Sequence, residues 1–261
     1  MKIWYTWLLA ATLTIGTAVQ TFAAVAPELT IGWLTGNDDL TYRDSGKGII
    51  GDFTNEIDEI RELSGMLLAV KYPFGHWDCN LEYGWGKNKD YAGTKRDFEL
   101  LSLTIDYRWL EWGCFYFRPY LGWLDLDLGS VAYSGVSLGV RAHYDLTARI
   151  GLDAACGYIV NPDLTYADQA YDDSSLWDYR LQLTYQLNDR FSLGLSYRAY
   201  QYDGRFSEYI DSYNYINGDL DSCTDFLTLA VTYRFALGEV NTKLTQKVDE
   251  TKPRMEMGIR K

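Results

Sequence analysis

The chain has 261 residues, 47% hydrophobic and 23% charged, which suits one large folded domain. Aromatic residues reach 16%, with 22 Tyr and 9 Trp, too many for a disordered tail protein. A net charge of −12 excludes the basic footprint that phosphate backbones require, so nucleic acid is not an expected partner.

The chain opens as an export signal. Lys2 precedes an apolar run over 3–19, and Thr21-Phe22-Ala23-Ala24 supplies the small-residue end. A basic start, an apolar core and a small-x-small close are the parts of a secretory signal peptide, placed at 1–23 with cleavage after Ala23. The rival reading, an uncleaved anchor, has a short run and no basic stop behind it. No Cys lies near the cut, so a lipoprotein is not expected. No later segment has 18 consecutive apolar residues, so no transmembrane helix is expected.

From there the sequence alternates with period two. In 177–187 one face reads Trp177, Tyr179, Leu181, Leu183, Tyr185, Leu187 and the other Asp178, Arg180, Gln182, Thr184, Gln186. In 191–198, Phe191, Leu193, Leu195 and Tyr197 oppose Ser192, Gly194, Ser196 and Arg198. In 226–235, Leu227, Leu229, Val231, Tyr233 and Phe235 oppose Phe226, Thr228, Ala230, Thr232 and Arg234. Such alternation predicts strands with one apolar and one polar face. Ten are predicted, at about 28–36, 62–73, 77–86, 97–110, 114–126, 134–145, 147–160, 176–187, 190–202 and 224–235.

Most of these strands exceed the usual five or six residues of soluble sheets and suit a tilted bilayer crossing. Their apolar faces carry aromatic residues near the ends, as an interfacial girdle needs. The polar faces, with Glu82, Asp106, Arg108, Arg118, Arg141, Asp153 and Arg198, are assigned to an all-polar lumen. A soluble sandwich shares the alternation but not the strand length. The fold class expected is therefore all-β: an antiparallel up-and-down transmembrane barrel of about ten strands over 24–235. Short connections near 73–76, 110–113, 145–147 and 188–190 alternate with longer ones near 37–61, 87–96, 161–175 and 203–223. Short turns belong on the periplasmic side and long loops outside, which also puts both barrel ends in the periplasm.

On the signal peptide, the strand motif Arg118-Pro119-Tyr120-Leu121-Gly122 and the closing Thr232-Tyr233-Arg234-Phe235, the chain resembles Gram-negative outer-membrane β-barrel proteins. The resemblance covers nearly the whole mature chain. It implies residence in the outer membrane, contact with its lipid and lipopolysaccharide, and recognition of the last strand by the barrel-assembly machinery. Here residues 236–261 follow Phe235, where such proteins commonly end; they are read as a polar periplasmic tail. The strand count is similar to that of the omptin proteases, but their paired acidic and His motifs are missing, so their activity is not carried over.

The remaining signals are sparse. Acidic residues concentrate in the expected outer loops, among them Asp38, Asp39, Asp58, Glu59, Asp203, Asp219 and Asp221. They read as a solvated rim, with divalent-cation bridging to lipopolysaccharide as the alternative. Tyr166, Tyr171, Tyr209, Tyr213 and Tyr215, also placed in loops, either pack over the mouth or offer contact area to a surface ligand. Cys79, Cys114, Cys156 and Cys223 are expected as free thiols, since an intervening strand separates Cys79 from Cys114 by about 9–10 Å.

With no CxxC motif, no metal site is expected, and no cofactor. The two His residues are His76, in a periplasmic turn, and His143, facing inward near the periplasmic end between Arg141 and Asp145. Neither has a nucleophile motif beside it, so no catalytic residue is assigned. The expected function is a non-enzymatic barrel serving envelope structure or surface interaction through its loops. The alternatives are an outer-membrane hydrolase, omptin-like or lipid-modifying, and a narrow porin-like pore.

Overall fold

A computed structural model describes residues 26–48, 51–89, 93–166, 169–171, 173–209 and 215–235. The signal peptide expected at 1–23 and the tail at 236–261 lie outside these residues. Twelve strands occur among them: β1 (Glu28–Gly48), β2 (Gly51–Phe74), β3 (Trp77–Lys89), β4 (Lys95–Tyr107), β5 (Leu110–Trp112), β6 (Phe115–Asp127), β7 (Val131–Thr147), β8 (Ile150–Tyr166), β9 (Gln169–Tyr171), β10 (Asp173–Gln186), β11 (Phe191–Tyr209) and β12 (Tyr215–Arg234). The short β5 and β9 are side hairpins on β6 and β8. The other ten pair antiparallel in sequence order, and β12 pairs β1 while β8 pairs β10. The sheet therefore closes, leaving no unpaired edge in lipid. No helix long and apolar enough to cross a membrane is present among the described residues.

One end carries both barrel termini and four short turns, and it is the periplasmic end by the rule for such barrels. Local chemistry makes each turn tight. Gly75 and Gly113 take φ of 61° and 63°, which side chains disfavour. Thr147 Oγ1 accepts the amides of Arg149 and Ile150 at 3.2 and 3.0 Å, and Asn188 Oδ1 accepts those of Arg190 and Phe191, both at 2.9 Å. The amide of Phe235 donates to the Pro27 carbonyl at 3.0 Å, tying the last strand to the first.

The outward faces agree with the expected lipid band. Along β10, Leu181 and Leu183 are exposed between the aromatic pair Trp177 and Tyr179 on the outer side and Tyr185 on the periplasmic side. Eight residues at about 3.3 Å each, tilted about 40°, climb about 20 Å. The rings at both ends extend this toward the roughly 25 Å apolar band of such barrels. On β11, Phe191, Leu193, Leu195 and Tyr197 repeat the order, and Leu227, Leu229 and Val231 continue it on β12. Cys79, Cys156 and Cys223 fall on outward positions of three separate strands, Cys114 lies in the β5–β6 turn, and all four are thiols.

Two expectations are corrected. Residues 37–48, 51–61, 203–209 and 215–223 are not loops. They are arms of the β1–β2 and β11–β12 hairpins, paired without a break from Gly48↔Gly51 and Tyr209↔Tyr215 down to the membrane. The twelve residues from Asn37 to Gly48 amount to about 40 Å of strand. Likewise β8 runs on to Tyr166 and β10 starts at Asp173, so the loop expected at 161–175 is mostly strand. The acidic residues, apart from Asp38, which turns into the lumen and is buried, thus decorate a four-strand panel, β2–β1–β12–β11, that rises above the lipid. Across it Glu56, Arg43, Asp219 and Arg205 lie in register, with ion pairs Arg43–Glu56 at 2.7 Å and Arg205–Asp219 at 3.2 Å.

The lumen is also not polar throughout. Its outer half is an apolar core of Leu34, Leu40, Leu63, Phe98, Leu100, Leu124, Leu126, Tyr133, Ile159, Leu164, Tyr200 and Tyr202, each at most 3% exposed. The strands invert their polarity at the membrane border. On β12, Leu220 and Phe226 point inward while Asp219, Asp221 and Asp225 point outward. From Leu227 onward the apolar side chains turn to lipid, and Thr228 and Thr232 face the lumen. β4 does the same, with Phe98 and Leu100 inside but Leu103 and Ile105 outside. In water the apolar face must hide inside, whereas in lipid it must face out. β8 adds a bulge at Asn161, φ 46°, which shifts its pairing with β7 between Ser134 and Val136 and swaps its inner and outer positions.

Candidate functional site

Below the apolar plug, the lumen changes into a layer of charge and then into an open vestibule. The alternation that sends Leu181 and Leu183 to lipid sends Asp178, Arg180 and Gln182 inward. Glu82 on β3 meets Arg180 across the barrel in a two-pronged pair, Oε1 to Nη1 at 2.6 Å and Oε2 to Nη2 at 2.5 Å. Arg198 on β11 donates to the same Oε2 at 2.8 Å and clasps Asp178 through Nε at 3.0 Å and Nη2 at 2.7 Å. These parallel forks are the strong form of an Arg–carboxylate contact.

Two further carboxylates complete the layer. Asp106 accepts from Arg141 at 2.5 Å and from Asn80 at 3.0 Å. Asp78, fully buried, is shared by three cations: Arg118, Arg108 at 3.1 Å and Lys71 at 3.7 Å. The inward charges predicted from alternation therefore do face the lumen, and they pair with one another rather than line an open path.

The vestibule is a cavity of about 340 Å³ opening at the periplasmic end, with Lys71, Arg118, His143, Asp145, Asp153 and Arg180 among its walls. His143 faces inward as expected. Its Nδ1 lies 2.9 Å from Asp153 and its Nε2 3.0 Å from Asp145, so each ring nitrogen meets a carboxylate. Its ring stacks on Tyr116 at 4.3 Å, and the Arg118 guanidinium covers the same Tyr116 ring at 4.4 Å. His76 lies exposed in the β2–β3 turn, next to Tyr107. Among the described residues no cluster of His, Cys, Asp and Glu has the geometry to hold a metal ion.

Sequence reasoning placed most of these side chains inside but did not foresee the vestibule. Two features create it. The glycine pair Gly139↔Gly157 admits the ring of Tyr120, which holds the β6–β8 wall close above the cavity; a Cβ on Gly157 would come within 2.1 Å of the Tyr120 hydroxyl. The small residues Thr30, Ala69 and Ala155 then leave room below. A signal for the second feature was present, since these small residues recur at inward positions.

A closed ten-strand antiparallel barrel, apolar and aromatic-bordered outside and charge-paired within, is the fold of outer-membrane β-barrels of the Gram-negative type. No protein-family model matches the sequence, and no curated protein does. Among solved structures it is similar to the outer-membrane protease OmpT from Escherichia coli, at 9% identity and a TM-score of 0.48, covering 83% of this chain and 100% of that one. It is also similar to the outer-membrane protein OprG from Pseudomonas aeruginosa, at 15% identity and a TM-score of 0.37, covering 83% and 99%. A FadL homologue from Pseudomonas aeruginosa matches at 7% identity and a TM-score of 0.34, covering 81% and 91%.

Proposed function

We propose that this protein is a non-enzymatic, non-conducting barrel that strengthens the envelope and presents its acidic panel at the cell surface. The observation that carries the reading is the apolar plug. Tyr133, Tyr200, Tyr202 and Phe98, all under 3% exposed, fill the outer lumen, and water and ions find no polar path through such a core. The plug is pinned by a buried group: Asp38 accepts from Thr224 at 2.7 Å and Ser222 at 3.2 Å, and Arg61 lies 3.5 Å from its other oxygen.

The hydrolase alternative finds little support in the vestibule. A general base needs a free nitrogen to take a proton from its nucleophile, and both nitrogens of His143 are held by carboxylates. On the outside, Asp203 and Asp221 lie directly opposite on neighbouring strands, with Asp58 and Thr41 continuing the row. Such a wall suits the cation-rich phosphate layer of lipopolysaccharide, or a surface ligand of basic character. The last strand, with Tyr233 and Phe235 outward, suits the assembly machinery.

The reading is tested with purified protein in planar bilayers and in lipopolysaccharide micelles. Stable open channels would overturn the non-conducting part. Turnover of peptide or lipid A substrates that His143→Ala abolishes in a folded barrel would overturn the non-enzymatic part.

A further inference from the structure

We propose that the periplasmic vestibule is a binding site for a small zwitterion, such as a short peptide with free ends, its carboxylate held at Lys71 and Arg118 and its ammonium group at Asp145 and Asp153. Three observations carry this beyond the surface role above.

The first is shape. A cavity of about 340 Å³ falls at the small end of the range for ligand pockets. It is open to the periplasm and blind toward the plug, so whatever enters must leave the same way. The second is segregation of charge. Around Asp78 three cations share one carboxylate, an excess of two positive charges. At His143 two carboxylates share one imidazole, so even with the ring protonated these three side chains sum to one negative charge; the paired Glu28 and Arg234, and Arg149 of the β7–β8 turn, also line the cavity. Lys71 stands on β2 and His143 on β7, four strands apart in one direction round the ten-strand ring and six in the other, hence on nearly opposite walls, with Arg118 on β6 between them, against the Tyr116 ring on which His143 stacks. A neutral molecule with opposite charges at its two ends matches both walls at once, whereas a simple anion or cation satisfies one and is repelled by the other.

The third is accessible charge: the side chains of Lys71, Asp145 and Asp153 are 34%, 55% and 26% exposed, and Arg118 lines the same cavity and shares Asp78 with Lys71. Lys71 stands 3.7 Å from Asp78, beyond hydrogen-bond distance, and lines the cavity. Arg180 and Arg141, by contrast, are paired with Glu82 and Asp106 and form the floor.

The experiment uses the folded barrel in detergent micelles and titrates trialanine, N-acetyl-trialanine, trialanine amide and inorganic phosphate by calorimetry, with the His143 ring resonances as a second readout. Trialanine should bind and shift those resonances. Blocking either end should weaken binding roughly tenfold or more, the loss of a charge-assisted contact. Asp145→Asn should weaken trialanine but leave N-acetyl-trialanine unchanged, and Lys71→Gln should weaken trialanine but leave the amide unchanged. Both positions are solvent-accessible, so the variants are checked for folding by their gel shift on boiling. Equal binding of free and blocked peptides, binding of phosphate alone, or no binding of trialanine at millimolar concentration would each overturn the proposal.

Discussion

Replacing Glu82 with Gln removes the charge that holds the floor of the lumen together. Among the described residues Arg180 has no other carboxylate partner, whereas Arg198 keeps its fork on Asp178. Deleting one member of a buried ion pair strands the other in a poorly solvated site, typically at 3–5 kcal/mol. Glu82 and Arg180 are 14% and 16% exposed on the vestibule side, so water offsets part of that, and the expected loss is about 3 kcal/mol. Urea unfolding in phospholipid vesicles, followed by Trp fluorescence, reads it directly. The double change Glu82→Leu with Arg180→Leu should recover most of the loss, since a matched apolar pair needs no charge partner. Lys87→Gln, which breaks an exposed pair with Asp97, serves as the control and should change nothing measurable. A loss below about 1 kcal/mol for Glu82→Gln would refute the reasoning, because the layer would then behave like a hydrated surface pair.

Other expectations follow from the two faces of the wall. Leu183→Arg and Leu229→Arg, both outward near the middle of the lipid band, should each cost roughly 2–4 kcal/mol in the same assay. Gln182→Arg, one residue away but inward beside Asp153, should cost far less; equal losses would show that the faces are misassigned. Gly157→Val should abolish the boiling-dependent gel shift, since the added carbons overlap the Tyr120 ring. A membrane-impermeant maleimide on intact cells should label Cys223, which is exposed on the arm above the band, and should reach Cys114, in the β5–β6 turn, only after the outer membrane is opened. Labelling of Cys114 in intact cells would reverse the orientation.

The part of the fold that lipid touches was legible in the sequence, because a bilayer tolerates no polar side chain at every second position. Leu193, Leu195, Leu229 and Val231 could only face one way. The arms were not legible for the converse reason. Above the membrane the outer face is water, so Asp39, Asp58 and Asp221 look like loop residues although each lies in a ladder. The plug was hidden by the inversion itself: Leu100, Leu101 and Leu103 read as one apolar stretch, yet Leu100 belongs to the inner core and Leu103 to the lipid face. The phase change at Asn161 left no mark, since a single inserted residue in a strand alters no composition. For the vestibule, alternation gave the direction of Arg118, His143 and Asp153, but not that three cations would converge on Asp78 from β2, from β6 and from the segment after β4.

The inversion of polarity also bears on how the strands find their places. In an ordinary amphipathic hairpin a slip by one residue is forbidden, because it exchanges the two faces, but a slip by two restores the pattern and is resisted only weakly. Here a two-residue slip of β12 toward the periplasm would draw Asp225 into hydrocarbon and Phe226 down among the charged pairs. The opposite slip would lift Leu227 into water. Even-numbered errors thus carry a cost of their own, and the border between Phe226 and Leu227 acts as a depth mark that sets how far the strand is threaded.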